Sequence, residues 1–253
     1  LTKYLPGQTI TTVEFDWPKS FPNDPVQVKR YIIGSKVTAV KRRAKVLLIE
    51  LSSNYTLVIH LKMTGQLVYR AGNGERWGGG HPNDSLIGQL PDKSTRVQLE
   101  FSDGSWLFFN DQRKFGWVKL IPTPEVMEID FFKRVGPEPL GPEFTLVEFR
   151  RRLARRARTT IKAAILDQST VAGVGNIYAD ESLHMAKIHP ATKVGDVPPA
   201  KIKKLHEAIK YFLQLSIDHG GSSDKNYVDA DGNKGSYLKF AQVFRREGQL
   251  CPV

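Results

Sequence analysis

The chain has 253 residues, 40% of them hydrophobic, and carries a formal net charge of +11 with a sequence pI of about 9.7. That length fits one large domain or two small ones with ample core material. No apolar run approaches the roughly 20 residues of a membrane span, which argues against a membrane protein, and the charge points to an anionic partner, nucleic acid ahead of a membrane surface.

Leu1 to Gly7 reads as the tail of a helix followed by a Pro-Gly turn, and Thr9 to Phe15 as a strand. Asn23 to Ile33 is ambiguous. Lys36–Val40, Lys45–Leu51, Thr56–Leu61 and Gly65–Tyr69 follow as successive strands, then Thr95–Phe101 and Trp106–Asn110 joined by the turn Ser102-Asp103-Gly104-Ser105. Many short strands with such turns predict a β-sandwich or barrel. Between them, Ala71 to Pro91 is rich in Gly, Asn and Pro and reads as a surface loop.

The character changes near Ile121. Pro122-Thr123-Pro124 and Gly136-Pro137-Glu138-Pro139-Leu140-Gly141-Pro142 are breakers that mark a hinge, and the chain beyond them is helical. Thr145 with Glu148 is a capping-box pattern. Helices are expected at Thr160–Gln168, Ile177–Ala186 and Pro199–His219, the last ended by Gly220-Gly221. Ser222 to Ser236 reads as a polar mobile loop, and Tyr237 to Arg245 recovers strand character.

Several stretches can carry chemistry. Val171-Ala172-Gly173-Val174-Gly175-Asn176-Ile177-Tyr178-Ala179-Asp180-Glu181 sets two glycines and an asparagine between helices, where helix-start amides seat a phosphate. Arg150, Arg151, Arg152, Arg155, Arg156, Arg158 and Lys162 precede it, as either a phosphate-binding cluster or a solvated helix face. Lys45, at the start of a strand, is an exposed edge residue, a phosphate contact or an amine of lowered pKa. Met63, in a tight turn, is core filler or an apolar wedge for a base stack. Arg113 and Phe115 either enter a groove together or divide into a solvated and a buried side chain. No histidine pair has zinc spacing, and Cys251, the only cysteine, excludes an intrachain disulfide and suits a reducing compartment.

Taken together, Arg42-Arg43-Ala44-Lys45, His60-Leu61-Lys62-Met63-Thr64-Gly65, Asp111-Gln112-Arg113-Lys114-Phe115-Gly116, Gly136-Pro137-Glu138-Pro139-Leu140 and Gly173 to Glu181 resemble the bacterial formamidopyrimidine-DNA glycosylases over essentially the whole chain. The resemblance implies an α+β fold: an N-terminal β-sandwich with flanking helices (1–134), a hinge (135–143), a helix–two-turn–helix domain with a lesion-capping loop (144–236), and the start of a zinc-finger hairpin (237–253). It implies excision of oxidised purines such as 8-oxoguanine and formamidopyrimidines from duplex DNA, with strand cleavage at the abasic site through a Schiff base. Met63, Arg113 and Phe115 match the triad that fills the gap left by an everted base. Lys45 matches the active-site lysine. Arg158, Lys162, Gly175, Asn176 and Tyr178 fall to DNA binding, and Glu181, Ser222 and Tyr237 to the lesion. Placing Met63 on one loop and Arg113 with Phe115 on another favours purines over the pyrimidines of the sister endonuclease VIII family. A monomer in the bacterial cytoplasm, at the nucleoid, is expected.

The chain also departs from the pattern. The family's N-terminal proline nucleophile and the glutamate after it are absent; Leu1 falls inside what should be the end of that first helix. Of four zinc thiolates only Cys251 is present, and the finger's arginine is missing, so zinc is expected in a complete protein and not in this chain. Ser94 and Arg96 stand where the family has DNA-facing histidines, and Ala71–Pro91 looks enlarged. These ends fit a fragment of a normal glycosylase, with a catalytically inactive, lesion-recognising DNA binder as the alternative; an RNA-binding protein with a similar turn would not account for Met63, Arg113 and Phe115.

Overall fold

The computed structural model describes residues 1–80, 88–222 and 235–250. It divides into two compact units: Leu1–Ile129, and Asp130–Ser222 together with the described residues from Gly235.

The first unit is a sandwich of two antiparallel sheets. One has the order β1 (Ile10–Phe15), β7 (Thr95–Phe101), β8 (Trp106–Asp111), β5 (Gly65–Arg70), β6 (Arg76–Gly80); the other runs β2 (Val37–Arg43), β3 (Val46–Leu51), β4 (Tyr55–His60), β9 (Trp117–Pro122). Alternation sends Ile49, Leu57 and Ile59 from one sheet and Leu67, Leu99 and Phe109 from the other into a shared core. The ambiguous segment resolves as helix α1 (Pro25–Ile32), because Asp24 accepts the N–H groups of Val26 and Gln27, both at 3.0 Å, and Pro25 opens the first turn. Val28 and Ile32 are its buried face. Leu1 to Leu5 make one helical turn, with Leu5 N–H donating to Leu1 C=O at 3.0 Å. At the expected hairpin, Gly104 takes φ +79° and Phe101 N–H donates to Ser105 C=O at 2.9 Å.

Two strands escape the sequence pattern. Strand β6, Arg-Trp-Gly-Gly-Gly, lies inside the stretch read as loop and pairs with β5, Tyr69 opposite Trp77. Glycine has low strand propensity, so this strand is held by its neighbour and by Trp77 stacked on Tyr4 at 4.2 Å. Strand β9 pairs with β4, His60 opposite Trp117. The chain therefore crosses between the sheets twice side by side, from β4 to β5 and from β8 to β9.

The second unit is helical: α2 (Asp130–Arg134), α3 (Leu146–Ala154), α4 (Ile161–Leu166), α5 (Asn176–Met185) and α6 (Pro199–Asp218). Thr145 and Thr160 cap α3 and α4 through their hydroxyls. Phe149, Ile161, Ile165, Val171, Val174, Leu183, Leu205 and Ile209 form its core. Gly220 and Gly221 end α6 with φ of +69° and +93°, Gly221 N–H reaching Ser216 C=O at 2.7 Å. The expected hinge segment packs on this unit: Gly136 N–H donates to Gln168 C=O at 2.8 Å, and Ala172 N–H to Pro137 C=O at 2.9 Å. A Cβ on Gly136 would come within 2.8 Å of the Ser169 carbonyl, so only glycine allows this approach. Tyr237–Phe240 is a short 3-10 turn, not the strand expected there. Most of the Ser222–Ser236 loop lies outside the described residues.

Candidate nucleic-acid interface

The two sheet crossovers in the first unit build one surface patch. Residues 61–64 and 112–116 emerge side by side because Gly65 pairs with Asp111 at one end and His60 with Trp117 at the other. Asp111 is wholly buried, and its carboxylate organises both loops. Oδ1 accepts the Thr64 hydroxyl and the Arg113 N–H (3.2 Å), and Oδ2 accepts the Gly116 N–H at 2.6 Å. A Cβ on Gly116 would fall 2.8 Å from the Phe109 ring and 3.0 Å from the His60 carbonyl. Lys62 and Lys114 take left-handed φ of +52° and +57°, so both loops turn sharply.

On this base stand Met63, 62% exposed, and Phe115, 54% exposed. The exposure rules out Met63 as core filler and Phe115 as a buried ring. Arg113 joins them: its Nη1 lies 3.7 Å from the Met63 sulfur, and its guanidinium sits 4.8 Å from the centre of the Phe115 ring. The three side chains thus form a single projecting cluster.

Ser94 and Arg96 face inward beneath it. Ser94 C=O accepts the Asp111 N–H at 2.7 Å, and Arg96 Nε donates to the Asp111 carbonyl at 3.1 Å while Nη1 pairs with Asp16 at 3.0 Å. Both are buried and hold the Asp111 backbone instead of facing a ligand.

Lys45 follows Ala44, whose φ of +53° turns the β2–β3 hairpin, and its side chain is exposed. Neighbouring atoms still desolvate the ammonium and lower its pKa. Beside it, burial first, then the charges of Lys62 and Lys45, push the His60 pKa down to about 4. The Lys62 N–H donates to His60 Nδ1 at 3.0 Å, leaving the proton of the neutral ring on Nε2. Burial likewise lowers the pKa of the Leu1 amine, which lines an apolar groove with Val40, Leu47, Leu61 and Trp77.

In the second unit the stretch from Asp167 to Gly175 joins α4 to α5. Its apolar side chains, Val171, Ala172 and Val174, are wholly buried. Gly173 turns the chain at φ +80°, and its N–H donates to Gln168 Oε1 at 2.8 Å. Gly175 caps α5 without any side-chain acceptor. Among the described residues, the N–H groups of Asn176, Ile177 and Tyr178 have no protein acceptor, as expected of a free helix start. Asn176 is exposed, whereas the Tyr178 hydroxyl is engaged with Ser216 at 2.5 Å, and with Ser222 at 3.4 Å.

The arginine-rich segment is less available than its charge suggests. Arg152 bonds Glu148 and the Ser169 carbonyl, each at 2.6 Å, and Arg156 pairs with Asp167 at 2.6 Å. Arg151 also binds Glu148, whose pKa the two arginine hydrogen bonds hold down at about 2. These three brace α3 and the turn. Arg155 and Arg158 remain exposed, and Arg158 has no ion-pair partner among the described residues. Lys162, a third exposed, is paired with Asp180 at 2.8 Å.

Two residues expected at the lesion, Glu181 and Tyr237, lie inside the second unit. Glu181 is wholly buried, and its carboxylate accepts the consecutive N–H groups of Gln242, Val243 and Phe244 at 2.8, 3.0 and 3.0 Å. Tyr237 is wholly buried and packs edge-on against Tyr178; burial, then the Glu181 charge, raises its pKa. Both side chains are buried in this structure, Glu181 on backbone amides and Tyr237 on a ring. The signal for Glu181 was available: it falls on the Ala179–Leu183 face of α5 that packs into the core. Among the described residues no group of three or more His, Cys, Asp or Glu can hold a metal, and Cys251 lies outside them.

Comparison with known proteins gives the same division. Residues 1–118 match the formamidopyrimidine-DNA glycosylase N-terminal domain, and residues 135–227 match the formamidopyrimidine-DNA glycosylase H2TH domain. The formamidopyrimidine-DNA glycosylase of Pelotomaculum thermopropionicum is 40% identical over 98% of this chain and 84% of its own length. That of Chloroflexus aurantiacus is 39% identical over 100% of this chain and 84% of its own. The Lactococcus lactis Fpg, solved in complex with DNA containing an abasic site, superposes with a TM-score of 0.85 at 32% identity, covering 100% of this chain and 86% of that one.

Proposed function

The chain belongs to the formamidopyrimidine-DNA glycosylase family, a family of DNA-repair glycosylases, and on that premise we propose that it recognises oxidised purines in duplex DNA and supports strand cleavage at the resulting abasic site. The observation that carries this reading is the cluster of Met63, Arg113 and Phe115 on one rigid base. Everting a base costs a few kcal/mol of lost stacking and pairing, roughly the range that an inserted apolar wedge offsets. Met63 and Phe115 supply the apolar surface, and Arg113 supplies donors for the bases left unpaired. Two separate loops contribute to the wedge, and this arrangement supports purines as the excised bases. The relatives solved with abasic-site or Fapy-dG DNA agree with such a ligand.

The other residues divide the remaining work. The free amides of Asn176, Ile177 and Tyr178, with the Asn176 side chain, seat a backbone phosphate. Arg158 adds charge, and Lys162 does so only by giving up Asp180. Lys45 contacts phosphate or assists as an amine whose neutral form burial favours. The lyase step requires an amine that attacks the sugar C1′ and expels the base, which leaves with a proton, to form a Schiff base; loss of a C2′ proton then breaks the C3′–O bond and releases the 3′ phosphate, and water hydrolyses the imine to free the amine, with a carboxyl group moving the protons. Zinc enters this reading only through Cys251, and metal analysis of the full-length protein decides it.

Borohydride trapping on duplex DNA containing 8-oxoguanine tests the proposal. The full-length protein should give a covalent adduct, and its absence would sink the lyase assignment. The 253-residue chain, with neither proline nor glutamate at its start, should bind without trapping. An adduct from it would place the bond on Leu1 or Lys45. Faster excision of thymine glycol than of 8-oxoguanine would overturn the purine assignment.

A further inference from the structure

The chain has three methionines, and all three are exposed: Met63 at 62%, Met127 at 50% and Met185 at 44%. Only Met63 belongs to the projecting cluster, and its sulfur faces a guanidinium N–H at 3.7 Å. With 62% of the residue exposed, Met63 is open to a small oxidant.

We propose that Met63 is a reversible oxidation site that controls lesion binding. The oxidant class is a peroxide, hydrogen peroxide being the simplest. The sulfur lone pair attacks one peroxide oxygen and the O–O bond breaks. That oxygen stays on sulfur and loses its proton, and the second oxygen leaves as hydroxide and becomes water. The thioether is oxidised by two electrons to the sulfoxide, and the peroxide is reduced. A sulfoxide is polar and a strong acceptor, unlike the thioether it replaces. Arg113, already within reach, donates to the new oxygen and is drawn away from the Phe115 face. One modification therefore removes the apolar tip and redirects the cation beside it. DNA that covers the cluster shields the sulfur, so oxidation falls on the free protein.

This inference rests on the wedge reading, and the experiment separates the two. In a Met127→Leu, Met185→Leu background, Met63 is the only methionine of the chain. Hydrogen peroxide should add one oxygen at Met63, read by peptide mass, and weaken binding to a duplex carrying a tetrahydrofuran abasic analogue by about tenfold, from the loss of apolar contact in the base stack. Binding to intact duplex should change little. Methionine sulfoxide reductase should restore lesion binding, whereas a thiol reductant alone, which reverses cysteine oxidation, should not. Lesion duplex added before the peroxide should slow the mass shift. If Met63 is fully converted and lesion affinity is unchanged, or if the loss persists in a Met63→Leu variant, the oxidation proposal fails. Should Met63→Ala also leave lesion affinity unchanged, the wedge reading fails with it; should Met63→Ala weaken it while the sulfoxide does not, only the oxidation proposal falls.

Discussion

The projecting cluster of the first unit and the α4–α5 turn of the second are built in opposite ways. In the cluster the backbone is tied down beneath the surface by buried Asp111, and the side chains of Met63, Arg113 and Phe115 stand in solvent. In the turn the side chains of Val171, Ala172 and Val174 are buried, and the backbone N–H groups of Asn176 to Tyr178 have no protein acceptor among the described residues. Side chains of distinct shape suit a surface that responds to a gap in a base stack. Backbone amides are alike at every position and suit a phosphate, which is alike at every nucleotide. Discrimination and grip thus call for different parts of the polypeptide.

The largest way to break this contrast is to remove the support under the side chains. Asp111→Ala strips acceptors from the Thr64 hydroxyl and the Arg113 and Gly116 amides. We expect a loss of about 4 kcal/mol in the denaturant stability of the first unit, typical of deleting a buried charged acceptor, together with loss of lesion preference. A change below about 1 kcal/mol would mean the loops hold themselves.

Next comes the titration of His60. Its folded pKa of about 4 lies below the ordinary value of 6.5, so the unfolded chain binds a proton more readily. The stabilisation is fully present above pH 6.5 and is lost as pH falls towards 4, by about 3 kcal/mol in total. Urea titrations across that window should show the decline, and His60→Gln should flatten it. An unchanged slope in the variant would assign the effect to other groups.

A smaller effect sharpens the division itself. Arg113→Ala should weaken binding to a lesion duplex by about 2 kcal/mol and hardly affect intact DNA, whereas Arg158→Ala should weaken both alike by under about 1 kcal/mol and reduce the salt slope. Fluorescence anisotropy at two salt concentrations reads both. Equal losses for Arg113→Ala on the two duplexes would remove the contrast.

The smallest test concerns the backbone of the turn. Gly173 has φ +80° and open space where a Cβ would go, so Gly173→Ala meets conformational strain alone. A cost of about 1 kcal/mol is expected for such a residue, read as a lowered melting temperature.

Much of this division was legible in the residues. Alternating apolar positions marked most strands, and the Asp-Gly turn and the threonine caps fell where local chemistry places them. The pieces of the cluster were visible, but not that Met63 and Arg113 touch, because that contact depends on two crossovers brought together by pairing between β5 and β8 and between β4 and β9. Strand β6 was hidden by its three glycines, whose pairing is decided by the neighbouring strand. The partners of the charged residues were the least legible. The resemblance assigned Glu181 to the lesion, and the arginine run read as either a phosphate-binding cluster or a solvated helix face. In the folded chain Glu181 accepts three amides, and Arg151, Arg152 and Arg156 are taken up by Glu148, Ser169 and Asp167. Charge counts ionised groups; it does not say which of them already have a counter-charge.

The grip of Glu181 on three consecutive amides has a consequence for how this part of the chain can vary. A carboxylate that holds Gln242, Val243 and Phe244 fixes the register of that segment on α5 directly. Hydrogen bonds to a carboxylate are among the stronger ones, and all three here are made by main-chain N–H groups. The side chains at 242–244 can therefore change, proline excepted because it lacks the N–H, while the hold on the backbone keeps the segment moored to the helix.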